Sequence, residues 1–196
     1  LNPWTIGIAA ATAGGIKLAK HLKQDSIPAV NLFSEEVSES TQETVGSFLE
    51  LEEQATKSLN QLAWSGEEVT GEMAESIIGN FEEMKEQIVG KLEEQKEDAL
   101  KSISEMVENS IDMTEEEKEE MIRITGESYD EQIKKTEEGN ARIKEILETA
   151  KEENRTITEE EKNEINKIKE DMKNDAVRIL SGSEKEQLAI MERLKQ

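Results

Sequence analysis

The side chains that could do chemistry in this chain are almost all carboxylates, since it holds 46 acidic residues, one histidine and no cysteine. His21 lies between Lys20 and Lys23 at the end of an apolar run, where a lone histidine is typical of a solvated side chain. No Ser–His or Cys–His pair can be assembled around it, and thiolate metal sites and disulfides are excluded. No stretch matches a calcium-binding or a phosphate-binding loop. We therefore predict no catalytic, cofactor-binding or metal-binding residue, and we expect the protein not to be an enzyme.

The densest carboxylate clusters follow two threonines that stand 44 residues apart. Thr-Glu-Glu-Glu-Lys occurs at 114–118 and again at 158–162. Threonine with glutamate three residues later forms a capping box, in which the hydroxyl accepts a free amide and the glutamate accepts the N–H of the cap residue. Acidic residues in a first turn also favour the positive end of the helix macrodipole. These clusters therefore predict helix starts at Thr114 and Thr158, not an acid–base pair.

Three further positions are predicted to cap helices. Thr70 stands 44 residues before Thr114 and precedes another long charged stretch with apolar residues at helical spacing. Ser40 and Ser183 each have a glutamate three residues later, Glu43 and Glu186, which is the capping-box pattern.

The composition leaves two states open, disorder or long helices that bury a narrow stripe. Hydrophobic residues make up 34% of the chain, aromatic residues 3% and charged residues 36%. Acidic disordered tails are usually rich in proline, but Pro3 and Pro28 are the only prolines. Apolar residues recur at helical spacing from Val45 onwards, which favours helix.

The charge is unevenly distributed. The formal net charge is −22, but residues 1–24 contain Lys17, Lys20 and Lys23 and no acid, so the rest of the chain carries −25. An acidic surface of this size repels phosphate backbones. We therefore expect no direct binding to nucleic acid.

The pattern divides the chain into four parts. Residues 1–24 are an apolar, weakly basic helix, and 25–40 are a linker that contains Pro28. Residues 41–65 are a helix that Gly66 ends with a left-handed cap. Residues 66–196 are an acidic region with helices near 70–108, 114–152, 158–180 and 184–195. Within 114–152 the stripe is interrupted by Thr136, Gly139 and Asn140, where we expect bending or fraying.

A degenerate 44-residue repeat runs through the acidic region. Three apolar columns keep the spacing of the threonines: Ile77, Met121 and Ile165; Val89, Ile133 and Val177; Ile103, Leu147 and Met191. Loops of about five residues allow each helix to return antiparallel to the one before it. The predicted fold is therefore all-α, with long amphipathic helices joined by short loops in antiparallel hairpins or a coiled-coil-like bundle.

The apolar segment at residues 4–19 has two readings. It is shorter than the roughly 20 residues that cross a bilayer, so it is either a buried helix or a membrane-active or packing segment. The residues that would make such contacts are Trp4, Ile6, Ile8, Ile16 and Leu18. Because the chain opens at Leu1 without an initiator methionine, we expect it to be an internal piece of a longer polypeptide.

The order of segments resembles that of tail tape measure proteins from long-tailed bacteriophages and prophages, especially those of Gram-positive hosts. Asn2–Gly14 (NPWTIGIAAATAG) is similar to the run that ends a hydrophobic stretch in that family. Leu32–Thr41 (LFSEEVSEST) comes next, and long acidic helices follow, with Thr158–Ile165 (TEEEKNEI) and Ser181–Gln187 (SGSEKEQ). The resemblance covers most of the chain.

The resemblance implies a structural role in the virion tail, assembled in the cytoplasm of a bacterial host. In that family several copies lie along the growing tail tube, set its length and leave ahead of the DNA during genome ejection. The implied partners are other copies of the chain, tail tube proteins and tail assembly chaperones, with the host membrane as a further partner of the N-terminal segment. No cofactor is implied.

Two other functions fit the same residues. The helical stripes could bind partner helices in a cellular scaffold or adaptor. Residues 4–23 could insert into a bilayer, which would make the chain a membrane-perturbing helical protein.

Overall fold

The computed structural model of this chain describes residues 33, 36–108 and 113–195, except the side chains of residues 64 and 65. This part of the chain contains no strand and five helices: α1 Glu39–Ser65, α2 Gly71–Glu108, α3 Glu115–Glu152, α4 Glu159–Leu180 and α5 Glu184–Leu194. The predicted all-α fold is confirmed. His21 and the proposed membrane or packing residues lie outside the described residues: Trp4, Ile6, Ile8, Ile16 and Leu18.

The 44-residue spacing appears in the helix starts. Helices α2, α3 and α4 begin at Gly71, Glu115 and Glu159. Helices α2 and α3 are both 38 residues long, which is about 57 Å at 1.5 Å per residue. The third unit is divided, because α4 ends after 22 residues and α5 adds 11 more beyond Ser181–Ser183.

The four longest helices form a bundle in which successive helices are antiparallel. As residue numbers increase along one helix, the residues they contact on the neighbouring helix decrease in number, which shows that the two helices are antiparallel. The contacts are Gly71 with Lys151 and Lys96 with Asp130 for α2 and α3, Lys135 with Asp175 and Arg142 with Glu164 for α3 and α4, and Thr41 with Gly182 and Thr56 with Lys169 for α1 and α4. Helix α2 packs against α1, α3 and α4.

The core lies around the apolar stripe of α2. Its buried members step by three or four residues, as the sequence predicts: Ala74, Ile77, Phe81, Met84, Ile88 and Leu92. They share one cluster with buried residues of the other helices, among them Phe48 and Leu62 of α1, Ile143 and Leu147 of α3, and Ile165 and Val177 of α4. Each large apolar side chain fully removed from water stabilises the fold by roughly 1.5–3 kcal/mol.

The aligned apolar columns do not share one environment. In the first column Ile77 and Ile165 are buried, whereas Met121 is only half-buried. The 44-residue unit is therefore repeated in where helices start, and not in how each helix is packed.

The two ends of the bundle differ. At one end the loops between α1 and α2 and between α3 and α4 meet, since the Val69 N–H donates to the Arg155 carbonyl at 3.1 Å. At the other end the Gln95 amide donates to the Ile179 carbonyl at 3.0 Å, so α4 stops at the level of Gln95. Helix α2 continues for 13 residues to Glu108, about 20 Å farther. Residues 96–108 and 115–130 together are called the hairpin extension.

The middle of α3 is a continuous helix, so the expected fraying was wrong, while the expected bending stays a prediction. Thr136 and Asn140 are buried there, and Gly139 lies between them in sequence. A Cβ atom at Gly139 would lie 2.9 Å from Cγ2 of Ile168 on α4, a distance that packed side chains do not reach. The apparent weakness in the stripe is therefore a place where α4 approaches α3 closely.

We expect Gly139→Ala to destabilise the protein, whereas Gly79→Ala stabilises it. Alanine is favoured over glycine inside a helix by about 0.5–1 kcal/mol, and nothing lies within 4 Å of a Cβ at Gly79. At Gly139 the new methyl meets a β-branched side chain that has little rotameric freedom. Urea unfolding of both variants measures the difference, and equal stabilisation would contradict the close packing at Gly139.

Candidate functional site

Two of the predicted caps are complete capping boxes. The Thr114 hydroxyl accepts from the Glu117 N–H at 3.3 Å, and the Thr114 N–H donates to Oε2 of Glu117 at 2.8 Å. The same two bonds join Thr158 and Glu161 at 3.1 and 2.8 Å. Both carboxylates are therefore engaged in beginning α3 and α4, as the sequence predicts.

The second capping box is tied to the preceding loop by Arg155. The two terminal nitrogens of its guanidinium each donate to an oxygen of Glu161 at 2.8 Å. The bonds from Arg155, together with the bond from the Thr158 N–H, lower the pKa of Glu161 to about 2. Burial alone would raise it. Glu161 is therefore ionised at neutral pH and cannot serve as a proton donor.

Thr70 is a cap with half of the box. Its hydroxyl accepts from the Met73 N–H at 3.3 Å and its carbonyl from the Ala74 N–H at 3.0 Å. Position 73 holds methionine, so no carboxylate returns to the cap residue. The cap is as predicted, without the reciprocal bond of Thr114 and Thr158.

The prediction that Ser40 caps α1 was wrong, because the cap residue is Ser38. Ser38 has extended backbone angles, φ −61° and ψ 150°, its hydroxyl accepts from the Thr41 N–H, and α1 begins at Glu39. Its carbonyl accepts from the Gln42 N–H at 2.9 Å. Ser40 lies inside the first turn, so the helix starts two residues earlier than its local pattern indicates. At the far end Gly66 has φ 62° and ends α1 as predicted.

Ser38 is held at the cap position by a carboxylate that lies 148 residues away in the sequence. Oε1 of Glu186 accepts the Ser38 N–H at 2.8 Å. Oε2 accepts the Thr41 hydroxyl and the Gly182 N–H, each at 2.8 Å. One buried side chain on α5 therefore joins the start of α1 to the end of α4. These residues, Ser38, Thr41, Gly182 and Glu186, are called the Glu186 latch.

The sequence placed Glu186 in a local capping box with Ser183, and only half of that box exists. The Ser183 hydroxyl accepts from the Glu186 N–H at 3.3 Å, so Ser183 caps α5 as predicted. The carboxylate turns to the Glu186 latch instead. Burial alone would raise the pKa of Glu186, but the bonds from Ser38, Thr41 and Gly182 together lower it. The Glu186 latch is thus a structural contact between an ionised carboxylate and the donors of Ser38, Thr41 and Gly182.

A second buried charge joins α1 and α4. Lys169 is 8% exposed, and its Nζ donates to the Thr56 hydroxyl at 2.7 Å and lies 3.2 Å from Oε1 of Glu52. In the sequence Lys169 occupies a position of the α4 stripe, four residues after Ile165 and three before Met172, but no neighbouring residue shows what its charge would pair with. Its partner residues lie more than 100 positions earlier, so only the fold shows the contact.

A small cleft lies where α4 approaches α3 beside Gly139. It encloses about 160 Å³ and is lined by residues of both helices, including Thr136, Ile168 and Asp171. The Thr136 hydroxyl donates to the Gln132 carbonyl at 3.0 Å, and Lys135 pairs with Asp175 at 3.4 Å. The polar groups of Lys135, Thr136 and Asp175 are thus engaged within the protein, and the lining includes no nucleophile–base pair.

Two classes of site find no support in the described part of the chain. Its Asp and Glu side chains do not gather into a group of three or more that could hold a metal ion. Among the described helices, none has the length and apolar character needed to span a membrane.

We expect Glu186→Gln to lower the free energy of unfolding by about 1–3 kcal/mol, the usual loss when buried donors are left without an acceptor. The glutamine NH₂ would face the donor groups of Ser38 or Gly182. Glu184 is exposed in the same first turn, so Glu184→Gln is the matched control and should change stability by less than about 0.5 kcal/mol. Denaturant titration compares the two, and equal losses would contradict the latch.

The Arg155–Glu161 contact predicts an acid-dependent loss of stability. The pKa of Glu161 is about 2 in the folded protein, below the value of about 4.3 that is usual for an unfolded chain. Its contribution is therefore full above about pH 5 and is lost as the pH falls toward 2. The difference in unfolding free energy between the native chain and Glu161→Gln should narrow over that range. A difference that stays constant with pH would contradict the contact.

Comparison with protein-family models, with curated proteins and with solved structures finds no match for this chain. The assignment of a function therefore depends on the residues and contacts described above.

Proposed function

We propose that this chain is a structural region of a bacteriophage tail tape measure protein, which helps to set the length of the tail tube and is released during genome ejection. The observation that carries the proposal is the order of segments: NPWTIGIAAATAG, then LFSEEVSEST, then acidic helices that start 44 residues apart. Other copies of the chain, tail tube proteins and tail assembly chaperones would be its partners, in the virion tail.

The use of the charged side chains supports a structural role. The glutamates that begin α3 and α4 bond to cap residues, and others pair with lysine or arginine one turn away, as Glu120 and Glu127 do with Arg123. The buried charges of Glu186 and Lys169 join helices to each other. A region that spans and braces needs these contacts and no catalytic group.

The length that this region could contribute to a ruler depends on whether its helices are folded together. Residues 39–194 would span about 230 Å as one continuous helix at 1.5 Å per residue. Folded into the bundle, the same residues extend over about 57 Å, the length of α2. The contribution of this region to tube length therefore depends on whether the hairpins stay closed, and the two limits differ about fourfold.

The acidic surface is compatible with a tube that later carries DNA. Residues 25–196 hold the whole excess of negative charge, −25. Like charges do not bind each other, so the protein would leave the tube without holding the nucleic acid that follows.

A helical scaffold is the second candidate function, and one observation favours it. Met106 and Ile124 on the hairpin extension are 43% and 48% exposed, and exposed apolar side chains at a helix surface are typical of binding sites for partner helices. A tape measure parent should continue in long helical sequence beyond this region. A parent gene that encodes only a compact helical protein would favour the scaffold.

Removal of residues 71–158 from the parent phage tests the ruler directly. These residues are two 44-residue units, and their ends already meet, because Val69 bonds to Arg155. If the region is extended in the tail, the tube should shorten by about 130 Å, and by no more than about 57 Å if it is folded. Duplication of residues 71–158 should lengthen the tube by about 130 Å if the region is extended, and by no more than about 57 Å if it is folded.

Electron micrographs of purified tails provide the measurement. Phage carrying Glu184→Gln, which removes no residues, is the control for handling of the gene. An unchanged tail length in both the deletion and the duplication would refute the ruler role for this region.

A further inference from the structure

The hairpin extension presents an apolar face that the fourth helix of the bundle leaves uncovered. On α2, Gln95 contacts the last turn of α4, and Met106 follows it by 11 residues, which is three helical turns on the same face. On α3, Lys135 contacts Asp175 of α4, and Ile124 precedes Lys135 by the same 11 residues. Met106 and Ile124 therefore occupy the two faces that α4 would cover if it continued past Leu180.

The break after Leu180 is what leaves this face open. The chain turns at Ser181–Ser183, and α5 is held at the start of α1 by the Glu186 latch and by the pair of Lys185 and Glu36 at 3.2 Å. Met106 and Ile124 remain 43% and 48% exposed. Helix α2 extends 13 residues beyond the level at which α4 ends, so one more helix of that length would fit against Met106 and Ile124. This uncovered face is called the groove.

The charge of the extension says what kind of helix fits. Residues 96–108 and 115–130 hold eleven acidic and four basic side chains, a net charge of −7. A second copy of the same surface would be repelled. An apolar segment with basic residues is complementary, and this chain contains such a stretch, residues 4–23, with Lys17, Lys20 and Lys23 near its C-terminal end and no acid.

The described chain also begins at the base of the groove. Phe33 is 5% exposed in the core, and Ser38 lies against Gly182 and Glu186, at the level where α4 ends. Residues 24–32 could bridge up to about 30 Å, more than the 20 Å length of the extension. Residues 4–19 would be about 24 Å long as a helix.

We propose that the N-terminal apolar segment, residues 4–23 of this chain, docks on the hairpin extension between Met106 and Ile124 and takes the place of the missing part of the fourth helix. The proposal does not depend on a role in phage tails. It assigns the segment a protein partner within its own chain, in place of a bilayer.

A spin label on the groove tests the docking. Since the chain has no cysteine, Ser102→Cys gives one attachment point on the exposed face between Gln95 and Met106. In the full ¹⁵N-enriched chain, the amide signals of residues 4–19 should lose most of their intensity to the nitroxide. A nitroxide at Glu160→Cys, at the far end of the bundle, should leave them unchanged. Unchanged signals with the Ser102 label would overturn the proposal.

Two further samples separate the other occupants and confirm the contact. When enriched chain without label is mixed with labelled chain without enrichment, broadening would mean docking from a second copy and would overturn docking within one chain. Met106→Glu combined with Ile124→Glu changes two exposed positions and should restore the lost intensity in the Ser102-labelled chain. Signals that stay broadened in that variant, with helicity unchanged, would also overturn the groove as the site.

Discussion

The apolar stripe of α2 is the surface on which the rest of the bundle depends. Helices α1, α3 and α4 each pack against it, and α2 supplies buried side chains over most of its length, from Ala74 to Val107. A chain with 34% hydrophobic residues and 36% charged residues cannot build several apolar layers. It can bury one stripe per helix, and those stripes leave water only if they face a common axis.

Polar contacts then decide how the helices align along that axis. An apolar stripe alone tolerates a shift of one turn, because i and i+4 lie on the same face. Lys169 does not tolerate it, since a shift would bury its charge away from Glu52 and Thr56, and a buried unpaired charge is strongly destabilising. The Glu186 latch acts in the same way where α1 begins and α4 ends. The buried polar residues thus specify one register among several that the core would allow.

The asymmetry of the bundle has a local origin and a distant effect. Ser181–Ser183 end α4, while α2 and α3 continue as the hairpin extension. The consequence appears on other helices, because Met106 and Ile124 stay exposed on faces that a longer α4 would cover. A break of three residues in one helix therefore creates an exposed apolar face on two others.

The sequence by itself determined where most helices begin and end, since caps are local. Thr70, Thr114, Thr158 and Ser183 bond to amides within three residues of themselves, and the 3.6-residue spacing identified the α2 stripe. It did not locate the start of α1, because Ser38 is stabilised by Glu186 from 148 residues away. It also misread the middle of α3.

Only the tertiary structure decided the roles of Gly139, Lys169 and Glu186. Each of them has an ordinary local explanation. Gly139 lies in a weak stretch of helix, Lys169 lies near other lysines, and Glu186 stands three residues after a serine. Their actual partners, Ile168, Glu52 and Ser38, lie on other helices. Local hydrogen bonds and helical periodicity depend on neighbouring residues, so the sequence predicts them. Close approach of helices and the pairing of buried charges depend on distant segments, so they are known only once the chain is folded.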